Sequence, residues 1–405
     1  MINKNLILKD NIQQKYLNTK LVSKSKKKFR NIQIEILRDY KNPKKTLHVL
    51  NNKFYMNFKV NDLKKFLKYN TIAIIGMGGS ILGAEAIYGF FKNQIKKRVF
   101  FFNDLDENKI KNFEKKEQAS KVLFIIISKS GNTIETLSNM FLLKIIKREA
   151  KNIIIISERK DNLLCNLSKK LNLFFIEHKN SIGGRYSVLS EVGLIPAYLM
   201  GINIKKLRSN ISSYLEKKNQ IFMKNNIVKL AGIMNYKKIN NLVFLNYFPE
   251  LEGFLFWCQQ LIAESLGKKG KGFFPIISNT PKDHHSLLQL YLNGPKDKLF
   301  YIFSLDFYSK DKIYLKNNLG IKNIIHKKKL SVIKDAQKKA LIKTFIKKNI
   351  PFREFKIKKI NEELLGSLFS LFIIETISVG KLLKINPFNQ PAVEQVKIFT
   401  KKILK

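Results

Sequence analysis

The chain has 405 residues, of which 45% are hydrophobic and 11% aromatic, and this composition excludes a mainly disordered protein and predicts two or three domains. Two cysteines exclude a disulfide scaffold, and Cys165 and Cys258 match no zinc spacing. The formal net charge of +46 suggests a nucleic-acid partner, but just eight of the 76 basic residues are arginine, and the lysines are spread along the whole chain. We therefore attribute the charge to compositional drift towards lysine, expect no nucleic-acid function, and expect anionic small molecules to be favoured.

Residues 1–60 predict a helical lead-in, and 61–205 predict a first α/β domain. Within it, apolar runs alternate with amphipathic segments of helical length. Nearly continuous apolar character indicates strands buried on both faces, as in a parallel sheet. The predicted strands are 71–76, 98–103, 121–128, 152–157 and 172–177.

Residues 206–385 predict a second domain of the same architecture, without a sequence repeat. Its predicted strands are 241–247, 273–278, 298–305 and 351–357, and its predicted helices lie within 203–236 and at 251–266, 283–292, 331–349 and 361–380. A tail at 386–405 carries a last helix at 391–404. The predicted fold is therefore α/β, with two doubly wound parallel sheets and a C-terminal helical tail.

A glycine-rich turn, Gly76-Met-Gly78-Gly79-Ser80, follows the first predicted strand. Glycines at a strand-to-helix junction let the backbone approach a ligand, and the helix N-terminus offers amide donors to an anion. A dinucleotide fingerprint would need glycine where Ile81 stands, and a P-loop would need a lysine after Gly83. These mismatches argue against nicotinamide and nucleotide-triphosphate sites, and a plain tight turn remains the alternative.

A second turn, SKSGNTIET at 128–136, places three hydroxyls and one ammonium before a predicted helix: Ser128, Lys129, Ser130 and Thr133. This pattern predicts a phosphate cradle without a metal. The alternative is an ordinary capping turn.

Two later segments offer charged candidates. The loop GGRYS presents Arg185, an informative residue in a chain with few arginines, although a surface salt bridge is the alternative. Gln260 and Glu264 are four residues apart and share a helix face. A carboxylate near a helix C-terminus is disfavoured by the dipole, so Glu264 is either tolerated at the surface or retained for chemistry.

In the second predicted domain, His284 and His285 form a pair in which one ring is a candidate proton carrier, with an ordinary surface histidine as the alternative. Gln390 and Lys397 belong to the tail and are predicted to point inward, with a solvated lysine as the alternative.

Taken in chain order, these segments resemble the glucose-6-phosphate isomerase (phosphoglucose isomerase) family, which has the sugar isomerase (SIS) fold. The resemblance covers about residues 70–405 and rests on six segments in register, which include the GGR loop, the Glu-Ser pair at 264–265 and the tail NPFNQPAVEQVK. It implies two parallel-sheet domains, a homodimer, and a reaction that needs no metal or other cofactor.

The resemblance also implies roles for individual residues. Glu264 becomes the proton-transfer base, Arg185 steadies the enediol(ate), and His285 with Lys397 opens the sugar ring, with His285 reaching the partner's site. Adjacent His284 leaves open which histidine has that role. The implied substrate contacts are Gly79, Ser80, Ser128, Lys129, Ser130, Thr133, Gln260 and Gln390.

The implied function is interconversion of glucose 6-phosphate and fructose 6-phosphate through a cis-enediol, a step of glycolysis and gluconeogenesis. The alternatives are a non-catalytic sugar-phosphate-binding regulator of the same fold, and dual activity on mannose 6-phosphate. Glu264, Arg185 and Lys397 are all present, which argues against the regulator.

The expected location is the cytoplasm. The N-terminal stretch has no apolar run of signal-peptide length, and the most apolar helical stretch, 364–374, is too short to span a bilayer. We therefore expect no membrane association.

Overall fold

The computed structural model describes residues 4–234, 238–306, 311–314 and 324–404. The predicted lead-in, the helices predicted within 203–236, the predicted second domain and the predicted tail each include some residues outside these ranges. The described strands are β1 (Leu6–Asn11), β2 (Thr71–Gly76), β3 (Arg98–Phe102), β4 (Val122–Ile127), β5 (Ile153–Ser157), β6 (Phe174–Glu177), β7 (Asn241–Asn246), β8 (Phe274–Asn279), β9 (Lys298–Leu305) and β10 (Phe352–Ile357). The nine strands after β1 match the predicted ones closely.

The described helices are α1 (Thr19–Lys41), α2 (Val60–Leu63), α3 (Leu82–Phe91), α4 (Glu107–Lys116), α5 (Ile134–Leu142), α6 (Leu163–Lys170), α7 (Glu191–Leu199), α8 (Ile204–Arg208), α9 (Gln220–Met234), α10 (Glu252–Leu266), α11 (Leu288–Asn293), α12 (Leu330–Lys347), α13 (Glu362–Leu382) and α14 (Glu394–Ile403). Short 3-10 turns separate several of them.

The first sheet is parallel throughout, with strand order β3-β2-β4-β5-β6. Strands β2, β4 and β5 are buried at every position, as their apolar sequences predict. The strand order reverses between β2 and β4. In open α/β sheets, ligands bind beyond the carboxyl ends of the strands at this kind of switch point.

The second sheet has the order β8-β7-β9-β10-β1 and repeats this winding, except that β1 joins its edge antiparallel to β10. The lead-in was predicted to be helical, and for β1 that prediction was wrong. The register runs from Leu6 opposite Ile357 to Asn11 opposite Phe352. Because the pairing partner lies near the other end of the chain, no local pattern indicates this strand. The predicted domain boundaries stay a prediction.

Helix α10 packs against helix α3 in the first half of the chain and against helix α13 in the second half. Helix α10 lies so close to α3 that a Cβ on Gly253 would meet the Glu85 carbonyl oxygen at 2.9 Å. One turn further along α10, Trp257 packs edge-on against Phe369 of α13 at a centroid distance of 4.8 Å. Helix α10, which carries Gln260 and Glu264, is therefore fixed by contacts with two other helices.

Helix α13 extends beyond the apolar stretch seen in the sequence. Its 21 residues make it, among the described residues, the one helix long and apolar enough to span a bilayer, but 94% of its apolar window is buried inside the protein. It is therefore a core helix.

Candidate active site

The glycine turn after β2 brings two distant parts of the chain together. Gly78 has φ +52°, in the left-handed region that favours glycine. A Cβ on Gly79 would lie 2.2 Å from the carbonyl carbon of Gly184, so only glycine allows this contact. The turn therefore lies directly against the GGR loop, and half-buried Ser80 ends it.

Arg185 is the centre of a buried hydrogen-bond network, and its side chain is 2% exposed. Its Nε donates to Ser265 Oγ at 2.8 Å, and its Nη1 donates to Gln390 Oε1 at 2.5 Å. Its Nη2 donates to the carbonyls of Pro387 at 2.5 Å and Asn389 at 3.2 Å. These partners fix the plane of the guanidinium, so the surface salt bridge considered as an alternative is excluded.

Glu264 lies beside this guanidinium and remains 31% exposed. Its Oε2 accepts from Arg185 Nη1 at 3.1 Å, and its Oε1 accepts from Gln260 Nε2 at 2.9 Å. Gly78 lies directly against the side-chain amide of Gln260, because a Cβ on Gly78 would be 2.7 Å from Gln260 Nε2. The carboxylate is thus oriented through both oxygens, yet it stays open to a ligand.

The hydroxyl-rich turn after β4 is tightly organised. Ser128 Oγ and Thr133 Oγ1 are 2.8 Å apart, and Ser130 Oγ lies 3.3 Å from the same threonine. Gly131 has φ +69°, and its missing Cβ leaves room for Asn162. Helix α5 begins at Ile134, and its N-cap residue, Thr133, makes no side-chain cap bond. The amide donors of the first turn of α5 thus receive no bond from the Thr133 side chain, and they lie beside the three hydroxyls at the carboxyl end of β4.

Lys129 connects this turn to the loop that leads to Arg185. Its ammonium donates to the Asn180 carbonyl at 2.8 Å and lies 3.5 Å from Glu158. Burial lowers the pKa of Lys129, while the Glu158 carboxylate opposes that shift. The structure therefore gives Lys129 two protein partners, and its phosphate contact stays a prediction.

His178 lies at the end of β6 near this ammonium and is buried. Burial, together with the Lys129 charge, lowers the pKa of His178 to about 4. No pattern in the sequence indicates this environment.

This shift predicts a stability change in acid. In the unfolded chain the imidazole has a pKa near 6.5 and takes up a proton first, so folded stability is lost as the pH falls below about 6.5. We expect His178 to contribute a loss of roughly 2–3 kcal/mol in the free energy of unfolding between pH 7.5 and 4.5. Denaturant unfolding of the wild type and of His178→Gln at both pH values measures the contribution of His178 to this loss. An equal pH dependence in the two proteins would contradict it.

The two adjacent histidines differ in their surroundings. They lie on a 3-10 turn at Lys282–His285, and not in a helix as predicted for 283–292. The described helix α11 begins later, at Leu288. His284 Nε2 lies 2.8 Å from the Tyr247 hydroxyl, and burial lowers the pKa of His284. His285 is exposed, and within the described ranges no hydrogen bond connects it with Arg185 or Glu264.

The tail enters the site at Gln390 but not at Lys397. The Lys397 side chain is 60% exposed and pairs with Glu394 at 2.7 Å. Helix α14 has no buried residue among those described. The structure therefore brings together Arg185, Gln260, Glu264 and Gln390, while the catalytic roles of His285 and Lys397 stay predictions.

Two buried hydroxyls of the site were missed by sequence reasoning. Ser265 Oγ lies 2.8 Å from both Arg185 Nε and the Tyr186 hydroxyl, and Tyr186 also donates to the Pro387 carbonyl at 2.7 Å. Each residue directly follows a predicted site residue in the chain. That adjacency was the available signal, but it does not reveal a contact between segments 79 residues apart.

Comparison with known proteins identifies the family. The family model described as phosphoglucose isomerase matches residues 52–275, more than half of the chain. The chain belongs to the phosphoglucose isomerase family. Among relatives, it is 33% identical over 348 residues to the glucose-6-phosphate isomerase of Methanocaldococcus jannaschii, covering 83% of this chain and 85% of that one.

Solved structures agree on the fold. A hypothetical protein of Thermus thermophilus has a TM-score of 0.83 at 23% identity, over 98% of this chain and 100% of that one. A glucose-6-phosphate isomerase of Chlamydia trachomatis has a TM-score of 0.69 at 19% identity, over 92% and 74%. The predicted fold class, with two doubly wound sheets of the sugar isomerase type, is confirmed.

Proposed function

We propose that the chain interconverts glucose 6-phosphate and fructose 6-phosphate through a cis-enediol, with Glu264 as the base. One observation carries the proposal: a carboxylate open to solvent is held at both oxygens, by Arg185 and by Gln260. Family membership supports the isomerase activity independently of this geometry.

The phosphate end of the substrate is proposed to bind at the turn after β4. Ser128, Ser130 and Thr133 offer hydroxyls, and the start of α5 offers amides and a positive dipole end. Gly79 and Ser80, across the switch point, border the sugar. Binding energy gained at the phosphate then positions C1 and C2 near Glu264.

The carbon chemistry needs one base. In the open-chain aldose, Glu264 takes the proton from C2, the C–H electron pair forms the C1–C2 double bond, and the carbonyl oxygen gains negative charge. Arg185 stabilises that charge with little reorganisation, because its partners already fix it. The O2 proton moves to O1, and Glu264 returns its proton to C1 to give the ketose.

Ring opening is proposed to require a second copy of the chain. His285 is exposed, Lys397 pairs with Glu394 on an exposed helix, and within the described contacts neither side chain bonds to Glu264. Apolar side chains on the same helix, Val396 and Phe399, are exposed as well. A homodimer in which His285 enters the partner's site would supply the missing acid–base group. A cytoplasmic location belongs to the same proposal.

Subunit complementation tests the shared site. Glu264→Gln and His285→Ala should each have little activity alone. After dissociation and remixing in equal amounts, half of the dimers are mixed, and each mixed dimer has one intact site, so activity should return to about a quarter of the wild type. Remixed samples that stay inactive, although dimers have formed, would contradict a shared site.

The open-chain analogue 5-deoxyfructose 6-phosphate separates ring opening from isomerisation, since it lacks the hydroxyl that closes the furanose ring. His285→Ala should lose far more activity on fructose 6-phosphate than on this analogue, whereas equal losses would contradict the role of His285. If His284→Ala shows the selective loss instead, ring opening belongs to His284, whose ring is hydrogen-bonded to the Tyr247 hydroxyl.

The function itself is tested with purified protein, glucose 6-phosphate and a chelator, following fructose 6-phosphate by NMR. We expect fructose 6-phosphate to form, and its absence would overturn the proposal. Mannose 6-phosphate in a parallel reaction decides whether activity extends to the C2 epimer.

A further inference from the structure

A lysine-rich turn at 268–271 follows α10 directly and contacts the chain segment that follows α13. Lys268 Nζ donates to the Asn386 carbonyl at 2.7 Å and to the Ser265 carbonyl at 3.1 Å. Lys271 Nζ lies 3.3 Å from the Leu383 carbonyl, and Lys269 Nζ lies 3.5 Å from the Lys384 carbonyl. Of these contacts, the one to Asn386 is the shortest.

Residues 386–390, here called the tail loop, also bind Arg185. The backbone carbonyls of Pro387 and Asn389 and the side-chain oxygen Oε1 of Gln390 all accept from its guanidinium. Asn386 immediately precedes these acceptors, and its own side chain accepts from the Phe388 amide at 2.9 Å. Lys268 therefore holds the start of the same short loop whose remaining residues orient Arg185.

The other bond of Lys268 reaches the helix that carries the proposed base. Its partner, the Ser265 carbonyl, belongs to the last turn of α10, one residue after Glu264. One ammonium thus connects the end of this helix to the tail loop. Moving either element would shift Glu264 relative to Arg185.

We propose that Lys268 is a positioning residue for isomerisation, whose ammonium fixes the tail loop against the end of α10 and so keeps Arg185 aligned with Glu264. This inference rests on the proposed function. It assigns no contact between Lys268 and the substrate.

The electrostatic surroundings of Lys268 agree with a place beside the site. Burial and the nearby Arg185 charge lower the pKa of Lys268 to about 8, and the Glu264 carboxylate opposes that shift. A cation placed next to another cation is unfavourable unless acceptors compensate, and two backbone carbonyls do so here.

Loss of this ammonium should affect turnover more than binding. The phosphate is proposed to bind at 128–133, between β4 and α5. The tail loop is not part of that segment, so a shift of the tail loop should leave phosphate binding largely intact. A tail loop that shifts by a fraction of an ångström would displace Arg185 from the charge that develops on the substrate oxygen. Misalignment of this kind acts on kcat, since the affected interaction matters most in the transition state.

The test uses Lys268→Cys, followed by alkylation. Both native cysteines, Cys165 and Cys258, are buried, so under native conditions a thiol at 268 is the preferred target. Bromoethylamine restores an ammonium at nearly the length of lysine, whereas iodoacetamide adds a neutral group of similar size. Lys269→Cys, in the same turn but with a far weaker contact, receives both treatments as the control.

We expect kcat of the thiol variant to fall roughly 10- to 100-fold, with KM changed less than about threefold. Aminoethylation should recover most of kcat, while carbamidomethylation should not, and Lys269→Cys should stay within about twofold throughout. Unfolding in denaturant verifies that each variant is folded.

Kinetics of Lys268→Cys within twofold of the wild type, or equal recovery with both reagents, would overturn the proposal. So would a kcat loss in Lys269→Cys as large as that in Lys268→Cys. An inactive wild type would instead refute the proposed function, and the role of Lys268 would fall with it.

Discussion

Glu264→Gln is expected to lower kcat by roughly 10³- to 10⁴-fold, the range lost when a positioned general base is removed. The amide keeps the shape of the side chain, and its oxygen can still accept from Arg185 Nη1 at the place of Glu264 Oε2. Sugar-phosphate binding should therefore change little. Steady-state kinetics together with direct binding of the substrate separate the two effects.

Glu250→Gln is the matched control, since it makes the same chemical change just before α10. Glu250 contacts Asn93 at 3.4 Å and takes no part in the Arg185 network. It should retain wild-type kcat. A Glu264→Gln enzyme within tenfold of the wild type would remove this carboxylate from the role of base.

Arg185→Lys is expected to lower kcat by roughly 10²- to 10³-fold, comparable to the loss of one donor that stabilises an oxyanion. The guanidinium donates to Ser265, Glu264 and Gln390 and to two tail-loop carbonyls. An ammonium has three donors and no planar fork, so it leaves buried acceptors unpaired and cannot hold the same plane. Activity should therefore not be retained, although the positive charge is.

Arg98→Lys provides the comparison, because Arg98 is 65% exposed and pairs with Glu117 at 2.8 Å. That substitution keeps a positive charge beside the Glu117 carboxylate, and Arg98 takes no part in the Arg185 network, so kcat should stay nearly unchanged. If Arg185→Lys retained wild-type kcat, a fixed guanidinium would not be what stabilises the intermediate.

Strands β2 to β10 could be predicted because the apolar residues of each segment indicate by themselves that the strand is buried. A run such as Val122–Ile127 is apolar at every position and buried at every position, which is the property of a central parallel strand. Strand β1 has the opposite character. It lies at a sheet edge, and the register that defines it depends on β10 at the other end of the chain.

The sequence indicates individual candidate residues of the site, but it does not indicate how they assemble. The helix spacing of Gln260 and Glu264 anticipated their 2.9 Å contact. No spacing indicates that Arg185 reaches Glu264 across 79 residues, or that tail-loop carbonyls fix its plane. Those contacts arise from the packing of α10 and from the approach of Gly79 to Gly184, which are tertiary features.

Lys397 shows the limit of motif reasoning. Its place in the tail motif predicts an inward side chain, but α14 lies in solvent along its described length. A side chain's direction depends on what the helix packs against. Among the described residues, no residue of α14 is buried against the rest of the chain.

Hydrogen exchange at the substrate carbons tests the proton-transfer role of Glu264 most directly. In D2O, with glucose 6-phosphate, the wild type should place deuterium at C1 of fructose 6-phosphate and, on reversal, at C2 of glucose 6-phosphate. Glu264→Gln should show neither above the uncatalysed rate, although it still binds the sugar phosphate. Deuterium entering at the wild-type rate in Glu264→Gln would contradict the account.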